Sequence, residues 1–546
     1  MSRRLFSGSR LPILGAGLAL VTVVLAMTGV LSPAPEARSF ESQFCGLPGP
    51  WRERIRRGYF GPRSGQIAIL PRYPAYSGTS EGGWSHSGPW GYLQRVPLVF
   101  YGPGVIPAEG DVERPVTVAD IAPSLMRLMR GTLNTRDSDA LSEALPRGPA
   151  LVGNPSPRLI VVSVWDGGGW NVLERWPEAW PNLRRLMDEG TSFTNATVGS
   201  SPSVTPSVHT TIGTGVFPWH HGITGIPVRD ENGEVVDSFL KGDSSRFIQA
   251  PAVAELWDEH HDNRAEIAMV GYEPWHLGMI GLGAEDRTGD KDVAVWLDTE
   301  TNEWITNPAH YSKPDVFLDR TVLDEESRAL DAVDGEVDRS WRSLDLDDPA
   351  RIEETPAFIA YHGHVMSEFI EQEGYGRDRI TDLLFTNFKQ IDRLGHYFNM
   401  ASEEVRQALE ESDRQLGELV RELDTLVGRG RWAVVVTADH GQQPDARAVD
   451  GYGIDPKEVA RDVDAEFGPI TRAVWPTEVF LHDDVMSREG VTLEEVSRFL
   501  SDYRMAENTQ RPDMLVGGAG RFGPRDTLFE LAMPSRLIPG LACGRR

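Results

Sequence analysis

Cysteine is almost absent from this sequence, with Cys45 and Cys543 the only two among 546 residues. Neither lies in a paired-cysteine zinc motif, so any bound metal must use histidine and carboxylate ligands. Positive charge is also scarce, because 81 Asp and Glu outnumber 54 Lys and Arg and leave a formal net charge of -27. Such a chain repels nucleic-acid backbones, so we expect no polynucleotide binding.

Internal repeats are also lacking, which disfavours a solenoid. The length suits one large α/β domain with insertions, or two domains. With 40% hydrophobic and 25% charged residues, the composition is that of an ordinary folded protein.

The N-terminus carries one long apolar run, residues 11–32, which follows Arg3, Arg4 and Arg10. The run is long enough to span a bilayer, and the arginines favour a cytoplasmic N-terminus. A cleaved signal peptide fits equally well. Residues 1–35 are therefore predicted to be a transmembrane anchor or a signal. Either choice places the catalytic part outside the cytoplasm, held at the cell membrane or secreted.

Two β-branched runs predict the centre of the fold. Residues 158–165 and 432–438 read as strands that are buried on both faces, and helical patterns lie between them at 181–189 and 403–426. This alternation predicts a mostly parallel central sheet with helices on both faces. Ligands of such sheets gather at the carboxyl ends of the strands.

Residues before this region are expected to contain two further strands, 66–70 and 96–101, and an amphipathic segment at 119–129. Residues 131–157 read as a linker, since they are rich in Gly, Pro, Ser and Asp.

Four short motifs carry the chemistry. They are Asp166-Gly-Gly and Asp439-His440-Gly, each after a predicted strand, Asp392-x-x-x-His396, and His86 in a Trp- and Gly-rich segment. Together they supply three carboxylates and three imidazoles, which suits two metal ions that keep open positions for a substrate. Each motif alone is weak evidence; their co-occurrence supports the metal hypothesis.

The candidate nucleophile is Thr205, in a segment rich in Ser and Thr that precedes a predicted helix. A threonine hydroxyl attacks only when a base or a metal activates it. The alternative is that Thr205 merely caps the helix.

As a set, these motifs resemble the type I phosphodiesterase/nucleotide pyrophosphatase branch of the alkaline phosphatase superfamily. The resemblance covers most of residues 60–130 and 158–445. Its remaining motifs are Pro181-Asn-Leu-x-x-Leu-x-x-x-Gly190, His209 four residues after Thr205, Thr214-Gly, Pro218 and His221-Gly-Ile.

The resemblance implies an alkaline-phosphatase-like fold and a division of the metal ligands. One divalent ion, with zinc favoured, would be held by Asp392, His396 and His86. The other would be held by Asp166, Asp439 and His440, with Thr205 bound to it. Thr205 would attack phosphorus in line and form a phosphothreonine intermediate.

The motif order implies a circular permutation. The run from His86 to Gly102 resembles a segment that the family places near its C-terminus, yet here it precedes Asp166. The implied domains are a linker at 36–58, a permuted C-terminal part at 59–130 and a main catalytic part at 158–546 with an inserted cap around 225–355. The new termini should then be neighbours, which predicts a disulfide between Cys45 and Cys543.

Two departures from the family concern the substrate. The family usually places an asparagine that contacts phosphate where this chain has Ile226, and Asn195 and Lys241 are the candidate replacements. Phosphomonoesterase relatives carry a Lys-Asp-Arg cluster, whereas the nearest equivalent here is Glu273-Pro-Trp275. Tyr272 and Trp275 are candidates for stacking on a base or sugar, and packing is the alternative role.

The main hypothesis is an exported metal-dependent hydrolase of small phosphodiesters or nucleotide pyrophosphates. The alternatives are a phosphomonoesterase on the same fold and a pseudoenzyme that binds a phosphorylated ligand without turnover. A sulfatase is disfavoured, because no Cys- or Ser-x-Pro-x-Arg motif is present.

Overall fold

The structure, a computed structural model, describes most of the chain after residue 38. The described ranges are 39–73, 75–77, 85–147, 156–281, 291–298, 300–333, 335–449, 451–508 and 523–544. The predicted membrane or signal segment lies outside them. Among the helices described, none has the length and apolar character needed to cross a bilayer.

The strands are short, and most of them belong to two sheets. They are β1 Ile67–Pro71, β2 Ala75–Ser77, β3 Leu98–Tyr101, β4 Gly110–Val112, β5 Val116–Thr117, β6 Leu159–Trp165, β7 Thr191–Phe193, β8 Ala196–Thr197, β9 Pro227–Arg229, β10 Val235–Asp237, β11 Ile267–Val270, β12 Val293–Asp298, β13 Glu303–Ile305, β14 Ser340–Trp341, β15 Leu344–Asp345, β16 Asp382–Phe388, β17 Trp432–Thr437, β18 Tyr452–Ile454, β19 Thr471–Val474, β20 Glu478–Leu481 and β21 Phe529–Pro534.

The α-helices connect and cover these strands. They are α1 Phe40–Gly46, α2 Gly49–Gly58, α3 Gly91–Gln94, α4 Ile121–Leu128, α5 Trp170–Arg175, α6 Pro181–Glu189, α7 Thr205–Thr214, α8 Pro218–His221, α9 Val253–His260, α10 Thr321–Asp331, α11 Pro349–Ile352, α12 Pro356–Glu373, α13 Gln390–Phe398, α14 Glu403–Leu423, α15 Pro456–Phe467, α16 Asp483–Glu489 and α17 Leu493–Asp502.

The main sheet has nine strands in the order β13-β12-β11-β16-β6-β17-β3-β7-β4. The five neighbours from β12 to β17 are parallel, while β13 and β3 pair antiparallel with the strands beside them. The predicted mostly parallel sheet is therefore confirmed. Its two central predicted strands, β6 and β17, lie side by side.

Strand β6 shows why a continuous apolar run was needed at the centre. Leu159, Val161 and Trp165 pack into the core on one face, and Ile160 and Val162 pack into the core on the other. Helices α6, α12 and α14 contribute to the first core, and α4, α7 and α9 to the second. Both faces of the sheet are thus covered, as the sequence predicted.

The N-terminal part of the described chain is built into the rest of the fold. Strand β3 lies between β17 and β7 in the main sheet. Strand β1 lies inside a second sheet, of order β19-β20-β1-β21, where it pairs antiparallel with β20 and β21 from the C-terminal part. The predicted segment 59–130 therefore contributes strands to both of the larger sheets.

One predicted boundary needs correction. Residues 225–355 were expected to form an inserted cap, but β11, β12 and β13 from this stretch are strands of the main sheet. Strand β11 pairs with the central strand β16 along four consecutive residues. The apolar sequence of β11, Ile-Ala-Met-Val, is fully buried, as a position inside the sheet requires.

The predicted disulfide is present. Cys45 and Cys543 are bonded, with their Cα atoms 5.4 Å apart, although 498 positions separate them in sequence. The bond fastens the end of helix α1 to residues near the end of the described chain.

Replacing both cysteines with serine should lower the free energy of unfolding by about 2–4 kcal/mol, because a cross-link over so long a loop removes much entropy from the unfolded chain. Urea denaturation of the double variant and the wild type measures the difference. Ser42→Ala in the same helix is the control and should change stability little. An unchanged unfolding free energy in the double variant would contradict the expectation.

Candidate active site

The site lies where three neighbouring strands of the main sheet end. Strands β16, β6 and β17 are adjacent and parallel, so their carboxyl ends share one edge. Asp166 follows β6 directly, Lys389 follows β16, and Asp439 comes two residues after β17. Parallel pairing therefore brings these charged side chains together in a buried pocket, as expected for ligand sites of such sheets.

The first predicted ligand group is assembled in the structure. Asp392 and His396 lie four residues apart on α13, so both face the same side of the helix. His86 arrives from the loop before α3, and its Nε2 lies 3.3 Å from Asp392 Oδ1. His396 Nε2 lies 3.4 Å from Asp392 Oδ2. One ligand atom from each of the three lies within 4.8 Å of the others, close enough to share a metal ion.

The second predicted group lies beside the first. His440 Nε2 is 3.5 Å from Asp166 Oδ1 and 3.3 Å from Asp439 Oδ2. The ring of His440 stacks on the ring of His86, with centroids 3.5 Å apart. One ligand atom each of Asp166, Asp392 and His440 lies within 4.8 Å of the others, so these three residues are close enough to share an ion. The two groups therefore adjoin.

Each of the three aspartates has one carboxylate oxygen held by the protein. The donors are Asn387 Nδ2 to Asp166 Oδ2 at 3.1 Å, Gly167 N to Asp439 Oδ1 at 3.0 Å, and Gln442 Nε2 to Asp392 Oδ1 at 2.9 Å. These hydrogen bonds fix the carboxylates, so that the second oxygen of each faces the other charged groups of the pocket. Outer contacts of this kind orient ligands in metal sites.

The histidine tautomers also suit metal binding. His86 Nδ1 donates to the carbonyl of Ser203 at 3.1 Å, and His440 Nδ1 donates to the carbonyl of Gly441 at 3.1 Å. The Nε2 atom of each ring therefore carries the lone pair. Burial lowers the pKa of both imidazoles, so both are neutral, which is the form that binds metals.

Unpartnered polar atoms show that the pocket fits cations. Within the described part of the chain, Asp439 Oδ2 and His440 Nε2 are buried and have no hydrogen-bond partner. Burial raises the pKa of Asp439 to about 7, and burial together with Asp439 raises the pKa of Asp166 well above its usual value. Leaving such groups unsatisfied is costly, and a divalent cation would satisfy them.

Thr205 is the first residue of α7, and its side chain is buried. The N-cap position belongs to Val204, so Thr205 does not cap the helix. Its Oγ1 accepts a hydrogen bond of 3.1 Å from Lys389 Nζ. The hydroxyl thus points to the pocket between the two ligand groups.

Sequence reasoning missed Lys389, Asn387 and Gln442. Lys389 is 3% exposed, and its Nζ lies 3.0 Å from Asp166 Oδ1 and 2.8 Å from Asp392 Oδ2. Burial lowers the pKa of this amine, but the carboxylates of Asp166 and Asp392 outweigh that effect and keep it charged. Their position in the sequence could have indicated a role in the site, because Asn387 and Lys389 lie at the end of a buried parallel strand.

The four residues predicted to contact substrate lie in different environments. Tyr272 is 1% exposed and donates its hydroxyl hydrogen bond to Glu353, so it has no surface on which a base could stack. Asn195 is exposed in the turn between β7 and β8, at the edge of the main sheet. Lys241 is exposed, and its backbone amide shares Asp237 with the half-buried Trp275. Of the four, Trp275 and Lys241 lie near each other.

A cavity of about 510 Å³ opens beside the first ligand group. His86 and His396 form part of its wall, and Ile226 lines it at the position where the family resemblance implied an asparagine. Trp475, 37% exposed, and the two cations Lys457 and Arg472 also line it. Arg472 is paired with Glu234. The cavity has the size and the mainly apolar wall of a small-molecule site.

The chain is similar in fold and sequence to known proteins. The crystal structure of wild-type alkaline phosphatase PafA matches with a TM-score of 0.53 and 21% identity, over 69% of this chain and 84% of that chain. Alkaline phosphatase PafA of Elizabethkingia meningoseptica is 24% identical over 71% of this chain and 79% of its own length. Alkaline phosphatase PhoV of Synechococcus elongatus is 24% identical over 52% of this chain and 59% of its own length.

The fold and the site define a metal-dependent phosphoric ester hydrolase with an alkaline-phosphatase-like architecture. The model of the type I phosphodiesterase/nucleotide pyrophosphatase family matches residues 159–476, which is more than half of the chain. The chain therefore belongs to that family, within the alkaline phosphatase superfamily.

Metal analysis tests the two ligand groups separately. We expect about two divalent ions per wild-type chain, and about one in His86→Ala and in His440→Ala, because each variant removes a ligand from one group only. Plasma mass spectrometry after dialysis against zinc measures the ratio. His364→Ala, which removes an exposed histidine elsewhere, should leave it unchanged. Equal metal content in all four proteins would refute the assignment.

The stability of the metal-free protein should depend on pH through Asp439. Its pKa is about 7 in the folded chain against an ordinary value of 3.8, so between these pH values the folded state binds a proton that the unfolded chain has lost. Stability therefore falls as the pH rises from about 4 to about 7, by about 1.4 kcal/mol per unit at most.

Urea denaturation of chelated wild type and Asp439→Asn between pH 5 and pH 7 measures this effect. The variant should lose less stability than the wild type over that interval, and the control Asp483→Asn should behave like the wild type. Parallel curves for the wild type and Asp439→Asn would show that Asp439 does not titrate in this range.

Proposed function

We propose that this protein hydrolyses phosphodiesters or nucleotide pyrophosphates by in-line attack of Thr205 on phosphorus. The observation that carries the proposal is the position of Thr205 Oγ1 between the two ligand groups. Lys389 Nζ links this oxygen to Asp166 of one group and Asp392 of the other, with contacts of 2.8–3.1 Å. A nucleophile placed there can reach a phosphoryl group that both groups face.

The proposed metal sites follow the two groups. His86, Asp392 and His396 would hold one divalent ion, and Asp166, Asp439 and His440 would hold the other. Zinc suits these imidazole and carboxylate ligands. When bound, the ions would supply positive charge to the phosphoryl and leaving oxygens and would favour a deprotonated Thr205 and a deprotonated water.

The reaction proceeds on Thr205 in two steps. Its Oγ1 forms a bond to phosphorus as the bond to the leaving oxygen breaks, and the hydroxyl proton passes to solvent. The leaving alkoxide gains a proton from water in the cavity. A water molecule then attacks phosphothreonine, which releases the phosphate product and restores the hydroxyl. The helix N-terminus at Thr205 favours the negative charge of the phosphoryl group.

A diester or pyrophosphate is preferred because of the groups around the pocket. Glu273 is partly buried near Lys389, and its buried Oε2 has no hydrogen-bond partner among the described residues. An acidic group near Lys389 disfavours a phosphate monoester, which carries one more negative charge than a diester. The mainly apolar cavity beside His86 and His396 offers room for an organic substituent on phosphorus or for the leaving group.

A phosphomonoesterase is the second candidate. Two alkaline phosphatases are among the similar proteins, and Lys389 adds a positive charge that a dianionic phosphate would use. Comparing kcat/KM for nitrophenyl phosphate and bis-nitrophenyl phosphate distinguishes the candidates. A higher value for the diester supports the first proposal, and a higher value for the monoester supports the second.

We also propose that the catalytic part works outside the cytoplasm, either held at the cell membrane by the N-terminal apolar run or secreted. The disulfide between Cys45 and Cys543 supports this location, because such bonds persist in oxidising compartments. Fractionation of cells that produce the full chain tests it, and recovery of the protein in the cytosol would refute it.

Thr205→Ala should reduce turnover at least about 1000-fold and abolish the covalent phosphothreonine, because no other group can take the place of the attacking oxygen. Steady-state rates and mass spectrometry of acid-quenched protein provide the measurements. Ser207→Ala, which deletes a buried hydroxyl on the same helix, is the matched control and should retain wild-type rates. Unchanged turnover of Thr205→Ala would exclude Thr205 as the nucleophile.

A further inference from the structure

Lys389 is the one lysine whose ammonium lies within the buried carboxylate cluster of the described structure. Its Nζ makes three contacts of hydrogen-bond length, to Thr205 Oγ1 at 3.1 Å, Asp166 Oδ1 at 3.0 Å and Asp392 Oδ2 at 2.8 Å. One contact is to the attacking atom, and the others are to one carboxylate from each ligand group. The ammonium therefore lies between the groups and at the nucleophile.

The contacts of Lys389 cover only part of the two ligand groups. Among the described residues, Asp439 Oδ2 and His440 Nε2 have no hydrogen-bond partner, so the second group keeps ligand atoms that Lys389 does not contact. In the first group, His86 Nε2 and His396 Nε2 face Asp392. Lys389 contacts one oxygen of Asp166 and one of Asp392 and leaves these other ligand atoms in place, so its charge would add to that of bound ions.

The charge balance of the pocket is compatible with this third cation. Asp166, Asp392 and Asp439 are buried there, and the partly buried Glu273 lies near Lys389. Two divalent ions would match these four carboxylates when all are ionised. The additional charge of Lys389 then faces Thr205 Oγ1 and is available for the negative charge that the attack brings into the pocket.

We propose that Lys389 is a catalytic residue that acts on the nucleophilic oxygen. Its ammonium donates to Thr205 Oγ1, which orients this oxygen toward phosphorus and stabilises its deprotonated form, the form that attacks. The wall beside the first ligand group is apolar at Ile226, so a cationic donor at the base of the pocket is the available polar contact for the reacting oxygen.

This inference rests on the proposed function, and its test separates the two. Lys389→Met keeps the length of the side chain and removes the charge. After loading with zinc, single-turnover experiments measure the rate at which phosphothreonine forms. We expect a decrease of about 100- to 1000-fold, comparable to the loss of one preorganised donor in other enzymes, with the same zinc content as the wild type.

A series of aryl phosphodiesters with leaving groups of different pKa gives a readout that a structural role would not produce. Removing a cation that acts on the attacking oxygen lowers the rate for every substrate by a similar factor. Removing a cation that acts on the leaving oxygen lowers the rate most for substrates with poor leaving groups. We therefore expect parallel plots of rate against leaving-group pKa for Lys389→Met and the wild type.

Rescue variants guard against a folding defect. Lys389→Arg should recover part of the rate. In Lys389→Cys the new thiol is the only free one, because both natural cysteines are bonded to each other. Aminoethylation of this thiol in the chelated protein, followed by zinc loading, recreates an ammonium of similar reach and should restore most of the rate. Lys313→Met, which removes a lysine that donates to Trp304, is the control.

Three results would overturn the assignment. Lys389→Met could form phosphothreonine at the wild-type rate with full zinc content, or it could fail to hold zinc, which would make Lys389 a support for the ligands. A steeper dependence on leaving-group pKa would move its action to the other oxygen. A wild-type protein that forms no phosphothreonine would instead refute the proposed function, and the role of Lys389 with it.

Discussion

The burial of three aspartates in one pocket is the constraint on which the rest of this site depends. Asp166, Asp392 and Asp439 are each at most 1% exposed. Isolated buried carboxylates are unstable, so the surroundings must supply donors and positive charge. Backbone and amide donors hold one oxygen of each, and Lys389 contacts two of the others. Although burial raises the pKa of Asp392, His396 and Lys389 hold it well below its usual value.

The sequence predicted the parts of this arrangement that local patterns control. A strand buried on both faces needs a continuous apolar run, which is visible at β6 and β17. A charged residue directly after such a strand stands out, as Asp166 does. The helical spacing of Asp392 and His396 is equally local. His86 could be assigned only through the family resemblance, because its neighbours in the site are at least 117 positions away in sequence.

The missed and misplaced residues depend on pairing between distant elements. Asn387 reaches Asp166 because β16 and β6 are neighbours in register, which no local pattern of either strand specifies. Tyr272 follows β11, and its burial became evident only once β11 was found inside the main sheet and not in a cap. The family model matches residues 159–476, so His86 lies outside the matched region.

Chemistry and substrate selection are carried by different parts of the fold. Apart from His86, the metal-ligand candidates lie after β6 and β17 and on α13, which follows β16, and Thr205 begins α7. The cavity wall combines the loop of His86, Ile226 and a segment near β19 that includes Trp475. Because Ile226 is apolar, the cavity wall offers no polar contact to a substrate at this position. Lys457 and Arg472 line this cavity, whereas Lys389, which follows β16, contacts Thr205 and both ligand groups from the sheet side of the pocket and so places positive charge at the reacting group.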